Sequence, residues 1–113
     1  MPEQPVVPRV AAVLDLGASA VRLVVAEIAP HGTIRVIEEA SRGVLLGRDT
    51  FSSGVIRPRT ADAALAAIEG FSRIIEGYGV REVRAVATSA AREARNGRLF
   101  LDRVRNRTGV AFE

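Results

Sequence analysis

The sequence contains no cysteine, lysine or tryptophan, and it has one histidine. Without cysteine the fold has no disulfide and no thiolate metal site, which a reducing cytoplasm permits. The apolar runs are all shorter than the roughly 18 residues that a membrane-spanning helix requires. The start of the chain, M-P-E-Q-P, is acidic and contains proline, unlike a signal peptide. We therefore expect a soluble cytoplasmic protein with no membrane partner.

Arginine replaces lysine throughout, so all 16 basic residues are Arg, and the chain has a net charge of +3 and a pI near 10.9. Because guanidinium groups do not titrate, such a chain reaches a high pI with a modest charge. The arginines are dense only within residues 92–107, and four Phe and one Tyr are too few to form a platform for stacked bases. Nucleic acid is therefore not an expected partner.

Length and composition predict one compact domain. A chain of 113 residues with 48% hydrophobic content can bury a core without metal or disulfide. Residues 1–8 are predicted to form a flexible arm and residues 9–113 the domain. Apolar runs and alternation predict strands at residues 10–16, 21–29, 33–46 with a break near Arg42, and 83–88, and a fifth strand after Gly109. The strand at 83–88 follows a helix and is predicted to lie parallel to the first strand.

Two main helices are predicted. Thr60 is expected to cap the first, in which apolar residues recur at helical spacing as far as Tyr78. Asn96 is expected to cap the second. Residues 49–59 contain Gly, Ser and Pro without periodicity, so we interpret them as a loop that borders the cavity. The single histidine, His31, is interpreted as a turn residue and not as a catalytic base, because no neighbour in sequence would orient its ring.

Residues 15–23, D-L-G-A-S-A-V-R-L, join two apolar runs through small residues and have the composition of a phosphate-binding hairpin. Gly17 is expected to turn the chain where a side chain would clash, and the small residues at 18–20 allow backbone amides to approach an anion. Arg22 supplies positive charge, and Asp15 can hold a hydrated magnesium ion through water. The alternative is an ordinary tight turn in which Asp15 accepts local backbone hydrogen bonds and Arg22 lies in solvent.

Residues 86–97, V-A-T-S-A-A-R-E-A-R-N-G, lie where a predicted strand ends. Side chains at the carboxyl ends of strands in open α/β sheets line the ligand crevice, so Thr88, Ser89 and Arg92 can donate to phosphate oxygens. The alternative is that Thr88 and Ser89 only cap a short helical turn. If the first and fourth strands are neighbours, this strand end lies beside the hairpin, and both motifs face one phosphate.

Together the two motifs resemble the exopolyphosphatase/guanosine pentaphosphate phosphohydrolase family, usually written Ppx/GppA. Its members carry D-[IL]-G-S-N-S-x-R-L and then A-T-S-A-x-R-x-A-x-N, where this chain has D-L-G-A-S-A-V-R-L and A-T-S-A-A-R-E-A-R-N. The resemblance implies an α/β fold, a ribonuclease-H-like (actin-like ATPase) domain whose mixed sheet has three antiparallel strands followed by helix-strand-helix-strand. Further matching segments are Leu46-Gly47, Asn96-Gly97-x-x-Phe100 and Thr108-Gly109.

The resemblance also implies a function, namely a bacterial hydrolase that cleaves the terminal phosphoanhydride of inorganic polyphosphate or guanosine pentaphosphate with Mg²⁺. It places no catalytic residue in this chain, since the family's catalytic Glu is expected after Glu113. The chain would then be the amino-terminal part of a longer two-domain protein, for which a homodimer is among the expected partners. The implied phosphate-binding residues are Gly17, Ser19, Arg22, Thr88, Ser89 and Arg92, with Asp15 as the magnesium residue.

Four positions depart from the family pattern, and one is Ser19, which stands where members usually have Asn or another polar residue. Ala18 and Ala20 stand where members have hydroxyl residues, and Leu45 stands where members read R-L-G. The loop thus lacks two side-chain donors and one positive charge, so a second hypothesis is a non-catalytic module that binds a guanosine polyphosphate or another nucleotide. A sugar kinase shares the Asp-x-Gly hairpin, but the A-T-S-A-x-R-x-A-x-N strand end argues against that class.

Overall fold

The computed structural model describes residues 7–113, so most of the arm predicted for residues 1–8 lies outside the described residues. Among residues 7–113, every helix is too short or too polar to cross a membrane. The elements in chain order are β1 (Arg9–Leu16), β2 (Ala20–Ile28), β3 (Ile34–Gly43), α1 (Leu46–Ser53), α2 (Pro58–Gly77), β4 (Glu82–Ala87), α3 (Ser89–Glu93) and α4 (Gly97–Thr108).

The four strands form one mixed sheet in the order β3-β2-β1-β4. Both β1–β2 and β2–β3 are antiparallel pairs, whereas β1 and β4 are parallel. A parallel pair requires a crossover connection, which α1 and α2 provide here. The predicted meander and the parallel fourth strand are therefore confirmed.

The core lies on one side of the sheet. Leu14 and Leu23 point to this side and are fully buried, in one apolar cluster with Ile68 and Phe71 of α2. Because side chains alternate along a strand, the neighbouring Val13 points to the opposite side, where it is 44% exposed. Helices thus cover one face of the sheet, and the other face is open in this chain.

The segment after β3 differs from the prediction. β3 ends at Gly43, and Leu46–Ser53 form the helix α1 in place of a strand end and a loop. The strand stops because the chain turns towards the β1–β2 hairpin, where the Val44 N–H donates to the Ser19 carbonyl. Gly54, with a φ of 80°, then ends α1 in the left-handed conformation that glycine adopts readily.

α2 begins earlier than predicted. Its first residue is Pro58 and its N-cap is Arg57, so the expectation that Thr60 caps the helix is wrong. Proline suits the first helical position because its φ is fixed in the helical range and its missing N–H would have no partner there. Tyr78 was also assigned to the buried stripe, but it is 42% exposed and its hydroxyl donates to Glu38.

The predicted fifth strand is reduced to one paired residue in the described part of the chain. Gly109 ends α4 with a φ of 78°, as expected for a helix stop. Beyond it, the Glu113 N–H donates to the Ala85 carbonyl and the Glu113 carbonyl accepts from the Ala87 N–H. These two bonds flank Val86 and form a single parallel bridge to β4.

Candidate functional site

The two sequence motifs meet at one edge of the sheet. β1 and β4 are parallel neighbours, and their last residues, Leu16 and Ala87, lie opposite each other. Thr88 then donates twice to the Leu16 carbonyl oxygen, from its backbone N–H at 3.0 Å and from its hydroxyl at 3.1 Å. Ligands of open α/β sheets bind outside the carboxyl ends of the strands, so this edge is the candidate site.

The hairpin between β1 and β2 is closed by a hydrogen bond from the Gly17 N–H to the Ala20 carbonyl at 2.9 Å. Gly17 has no positive φ, and an added Cβ would meet only the Ala20 oxygen, at an ordinary contact distance of 3.4 Å. The expectation that a side chain at this position would clash is therefore wrong. Ala18 and Ser19 are exposed at the tip, so the Ser19 hydroxyl is open to a ligand.

Asp15 and Arg22 lie opposite each other on the β1–β2 ladder. With Glu39 and Ser41 they line an open cavity of about 460 Å³ on the uncovered face of the sheet. Neither side chain belongs to any of the ion pairs formed among the described residues. Their charges therefore face this open cavity together with the carboxylate of Glu39.

Thr88 and Ser89 begin the short helix α3, and both are exposed. Thr88 is the N-cap residue, but no side-chain capping bond forms, since its hydroxyl donates to Leu16 instead. The alternative that Thr88 serves only as a cap is thus not what the structure shows. Because its proton is used by Leu16, the exposed hydroxyl of the neighbouring Ser89 is the one that can donate to a phosphate oxygen.

Arg92 is held at its base by a hydrogen bond from its Nε to the Ala87 carbonyl at 2.8 Å. It lines a second open cavity, of about 300 Å³, with Arg98 and Asp102. Arg22 lines the cavity on the sheet face instead. The structure therefore brings the hairpin and Thr88 together, and it places Arg22 and Arg92 in two different cavities.

Two buried polar residues of α1 were missed by the sequence analysis. The Thr50 hydroxyl donates to the Ala90 carbonyl at 2.6 Å, and Asp49 Oδ2 accepts the Arg57 N–H at 2.9 Å. The signal that would have located α1 is Gly54, a helix-ending residue. Because residues 49–59 were interpreted as a loop, their polar side chains were not expected to be buried.

Asp49 is ionised readily although it is buried. The nearby Thr60 hydroxyl is the largest influence and lowers the pKa of Asp49 below its usual range. Burial acts in the opposite direction, and the Arg57 N–H and the charges of Arg57 and Arg48 again lower the pKa. Asp49 therefore remains a carboxylate. It lies beside the start of α2, where the helix dipole favours negative charge.

Asn96 occupies the N-cap position of α4, as predicted, but its side chain forms no cap. It binds the backbone of Ile56 instead, accepting from the N–H and donating to the carbonyl, both at 2.8 Å. The next residue, Gly97, packs so closely on α3 that an added Cβ would collide with the Ala91 carbonyl oxygen. This part of the second motif therefore anchors the segment after β4 to Ile56 and α3.

The described residues contain no group of three or more acidic or histidine side chains that could hold a metal ion. Asp15 offers one carboxylate at the rim of an open cavity. Mg²⁺ commonly keeps several waters and is bound through one or two carboxylates together with substrate phosphates. The side chain of Asp15 therefore fits a magnesium ion that is held mainly by phosphate oxygens and water.

Comparison with known proteins gives consistent matches. The Ppx/GppA phosphatase family model matches residues 24–113. Exopolyphosphatase 1 of Mycobacterium tuberculosis is 37% identical over 101 residues, which are 89% of this chain and 29% of that protein. The chain thus spans less than a third of the length of this curated relative.

Solved structures agree in fold. The crystal structure of the Aquifex aeolicus member of the Ppx/GppA family superposes with a TM-score of 0.89 at 30% identity, covering 94% of this chain and 34% of that one. An exopolyphosphatase from Cytophaga hutchinsonii gives a TM-score of 0.87 at 25% identity, covering 93% and 33%. The ribonuclease-H-like fold of actin-like ATPases, which the sequence analysis expected, is confirmed. With its family model matched over most of its length and its fold shared with these structures, the chain belongs to the Ppx/GppA phosphatase family.

Proposed function

We propose that this chain is the phosphate-binding part of a phosphohydrolase that cleaves the terminal phosphoanhydride of inorganic polyphosphate. The observation that carries the proposal is the pair of hydrogen bonds from Thr88 to Leu16, which joins the hairpin and the β4 end at the carboxyl edge of two parallel strands. The names of the exopolyphosphatase relatives favour polyphosphate. Guanosine pentaphosphate presents the same terminal phosphoanhydride and is the second candidate substrate.

The binding roles follow from the positions of the groups. At the hairpin the Ser19 hydroxyl presents a neutral donor, and Ser89 presents another from the segment after β4. The Gly17 N–H and the Thr88 hydroxyl donate within the chain, to Ala20 and Leu16, and so shape the site. Arg22 and Arg92 contribute one positive charge each from the two sides of this edge. Because Arg22 and Arg92 line different cavities, successive phosphates of a chain can occupy both, and the Asp15 and Glu39 carboxylates of the Arg22 cavity then require a counter-cation such as Mg²⁺.

Charge stabilisation is the chemistry that these residues supply. The transition state of phosphoryl transfer spreads negative charge over the phosphate oxygens, and positioned cations stabilise it. Asp15 would hold a magnesium ion through water, and the ion would supply further positive charge to the phosphate oxygens. The carboxylate that activates the attacking water is assigned to sequence beyond Glu113, by resemblance to the family.

The second candidate, a non-catalytic module that binds a guanosine polyphosphate or another nucleotide, is favoured by two local features. Ala18 presents a methyl group where the family has a hydroxyl, and the α1 backbone at Gly47 lies so near that a Cβ there would come within 2.9 Å of the Ala18 Cβ. Leu45, at the start of α1, exposes an apolar side chain where the family has arginine. Release of inorganic phosphate from polyphosphate by the protein that the whole gene encodes distinguishes an enzyme from a binding module.

The binding test compares four arginine substitutions. Arg22→Ala and Arg92→Ala should each weaken binding of a short linear polyphosphate about tenfold, because a charge-assisted contact to phosphate contributes on the order of 1.5 to 3 kcal/mol. Calorimetric titration measures the dissociation constants. It should be run on this chain and, where the gene encodes a longer protein, on that protein too.

Arg103→Ala and Arg107→Ala are the matched controls. These arginines lie on the outer side of α4 and pair with Asp62 and Glu69 of α2. Their loss should change binding only slightly, and that small effect should fade at high salt. Equal small losses for all four variants would mean that the affinity comes from diffuse arginine charge, and the proposed site would have no basis.

A further inference from the structure

α1 contacts both loops of the candidate site. At its start, the Gly47 N–H donates to the Ala18 carbonyl at the tip of the hairpin at 2.9 Å. One turn later, the Thr50 hydroxyl donates to the carbonyl of Ala90, the residue after Ser89, at 2.6 Å. A single short helix thus links the hairpin to the loop after β4.

Both contacts are closely packed. Thr50 is 6% exposed and Ala90 is fully buried, so their hydrogen bond is shielded from water. Gly47 is buried as well, and there is no room for a side chain between it and Ala18. Interiors packed in this way transmit displacements, so neither loop can shift against α1 without disturbing these bonds.

The far end of α1 is tied to the same motif. The carbonyl of Gly54 accepts the Arg95 N–H at 2.8 Å, and the Asn96 side chain holds Ile56 by two hydrogen bonds. α1 and residues 54–57 are therefore bonded at both ends of the segment 90–96, which includes most of α3. Thr50 is the one α1 side chain in this set that donates into that loop.

We propose that Thr50 is a positioning residue of the phosphate site, whose hydroxyl holds the loop after β4 in place beside the hairpin. The proposal rests on the function proposed above, since it concerns the same site. Thr50 is buried and acts through the Ala90 carbonyl. The junction between the two loops is the contact of Thr88 with Leu16. Loss of the Thr50 hydroxyl should loosen this junction and, as a consequence, weaken phosphate binding.

The first test measures the junction without any ligand. In ¹⁵N-labelled chain, the Thr88 amide, bonded to Leu16, should exchange with solvent about five- to tenfold faster in Thr50→Val, since a typical hydrogen bond contributes about 1 kcal/mol. Amides in the middle of β1 and β2 should exchange as before, and Thr50→Ser should restore the Thr88 amide. Thr108→Val is the matched control, because the Thr108 hydroxyl also donates to a carbonyl, that of Val104 in α4.

An unchanged Thr88 amide in Thr50→Val, or equal acceleration throughout the sheet, would overturn the positioning role. The second test titrates the same samples with tripolyphosphate and follows the amides of residues 17–19 and 88–92. Thr50→Val should bind about fivefold more weakly, with Thr50→Ser near the unmodified chain, and equal affinity in all three would also overturn the proposal. If the unmodified chain shows no shifts at these amides, the proposed function fails, and the exchange measurement still decides the role of Thr50 in the junction.

Discussion

At Asp49, the lowered pKa makes the stability of the chain depend on pH. The pKa of the folded state lies below the roughly 3.9 of an unfolded Asp, so the stabilising contribution is complete above that value and is lost as pH falls through the folded pKa. Asp49→Asn should reduce the free energy of unfolding by about 1 to 3 kcal/mol at pH 7, because a buried charged acceptor for the Arg57 N–H is lost. Urea unfolding from pH 7 down to pH 3 should show this difference shrinking below about pH 4.

Asp62→Asn is the control for Asp49. Asp62 is exposed and pairs with Arg103 on the surface, an arrangement that contributes less than about 1 kcal/mol. A pH-independent difference between Asp49→Asn and the unmodified chain would mean that the carboxylate stabilises α2 by shape and not by charge.

Among the elements, α2 is held in the core by one stripe of apolar side chains. Phe71 lies in this stripe and is buried in the core cluster. Phe71→Ala should therefore cost roughly 3 to 5 kcal/mol in the free energy of unfolding. The control is Tyr78→Ala, which changes an exposed residue at the end of the same helix. It should lower the free energy of unfolding by about 1 kcal/mol or less. Urea melts measure both, and a loss below about 1 kcal/mol for Phe71→Ala would mean that the helix is oriented differently.

Elements with a strong local pattern were predictable, and those fixed by distant contacts were not. The apolar period of α2 and the continuous apolar run of β1 were enough to place them. α1 has no apolar pattern of this kind. It is held in place by hydrogen bonds to other segments, such as those that Gly47 and Thr50 donate. The start of α2 was misplaced because Thr60 was preferred as a cap over Pro58, whose place at the first helical position is an equally local signal.

For the whole molecule, the meeting of two motifs about seventy residues apart was predictable, because a parallel β1–β4 pair brings both strand ends to one edge. The directions in which Arg22 and Arg92 project near that edge were not predictable. Arg22 projects from the uncovered sheet face, whereas Arg92 leaves from α3 with its Nε bonded to Ala87. The convergence of both charges on a single phosphate thus stays a prediction.

The one-sided core gives two neighbouring residues of β1 opposite importance. Leu14 is fully buried beneath the helices and Val13 is 44% exposed on the other face. Leu14→Ala should cost about 2 to 5 kcal/mol in the free energy of unfolding, whereas Val13→Ala should cost less than about 1 kcal/mol. Urea unfolding at two protein concentrations measures both free-energy changes. A large loss for Val13→Ala that depends on concentration would mean that a second copy of the chain covers the open face, because only association makes stability depend on the amount of protein.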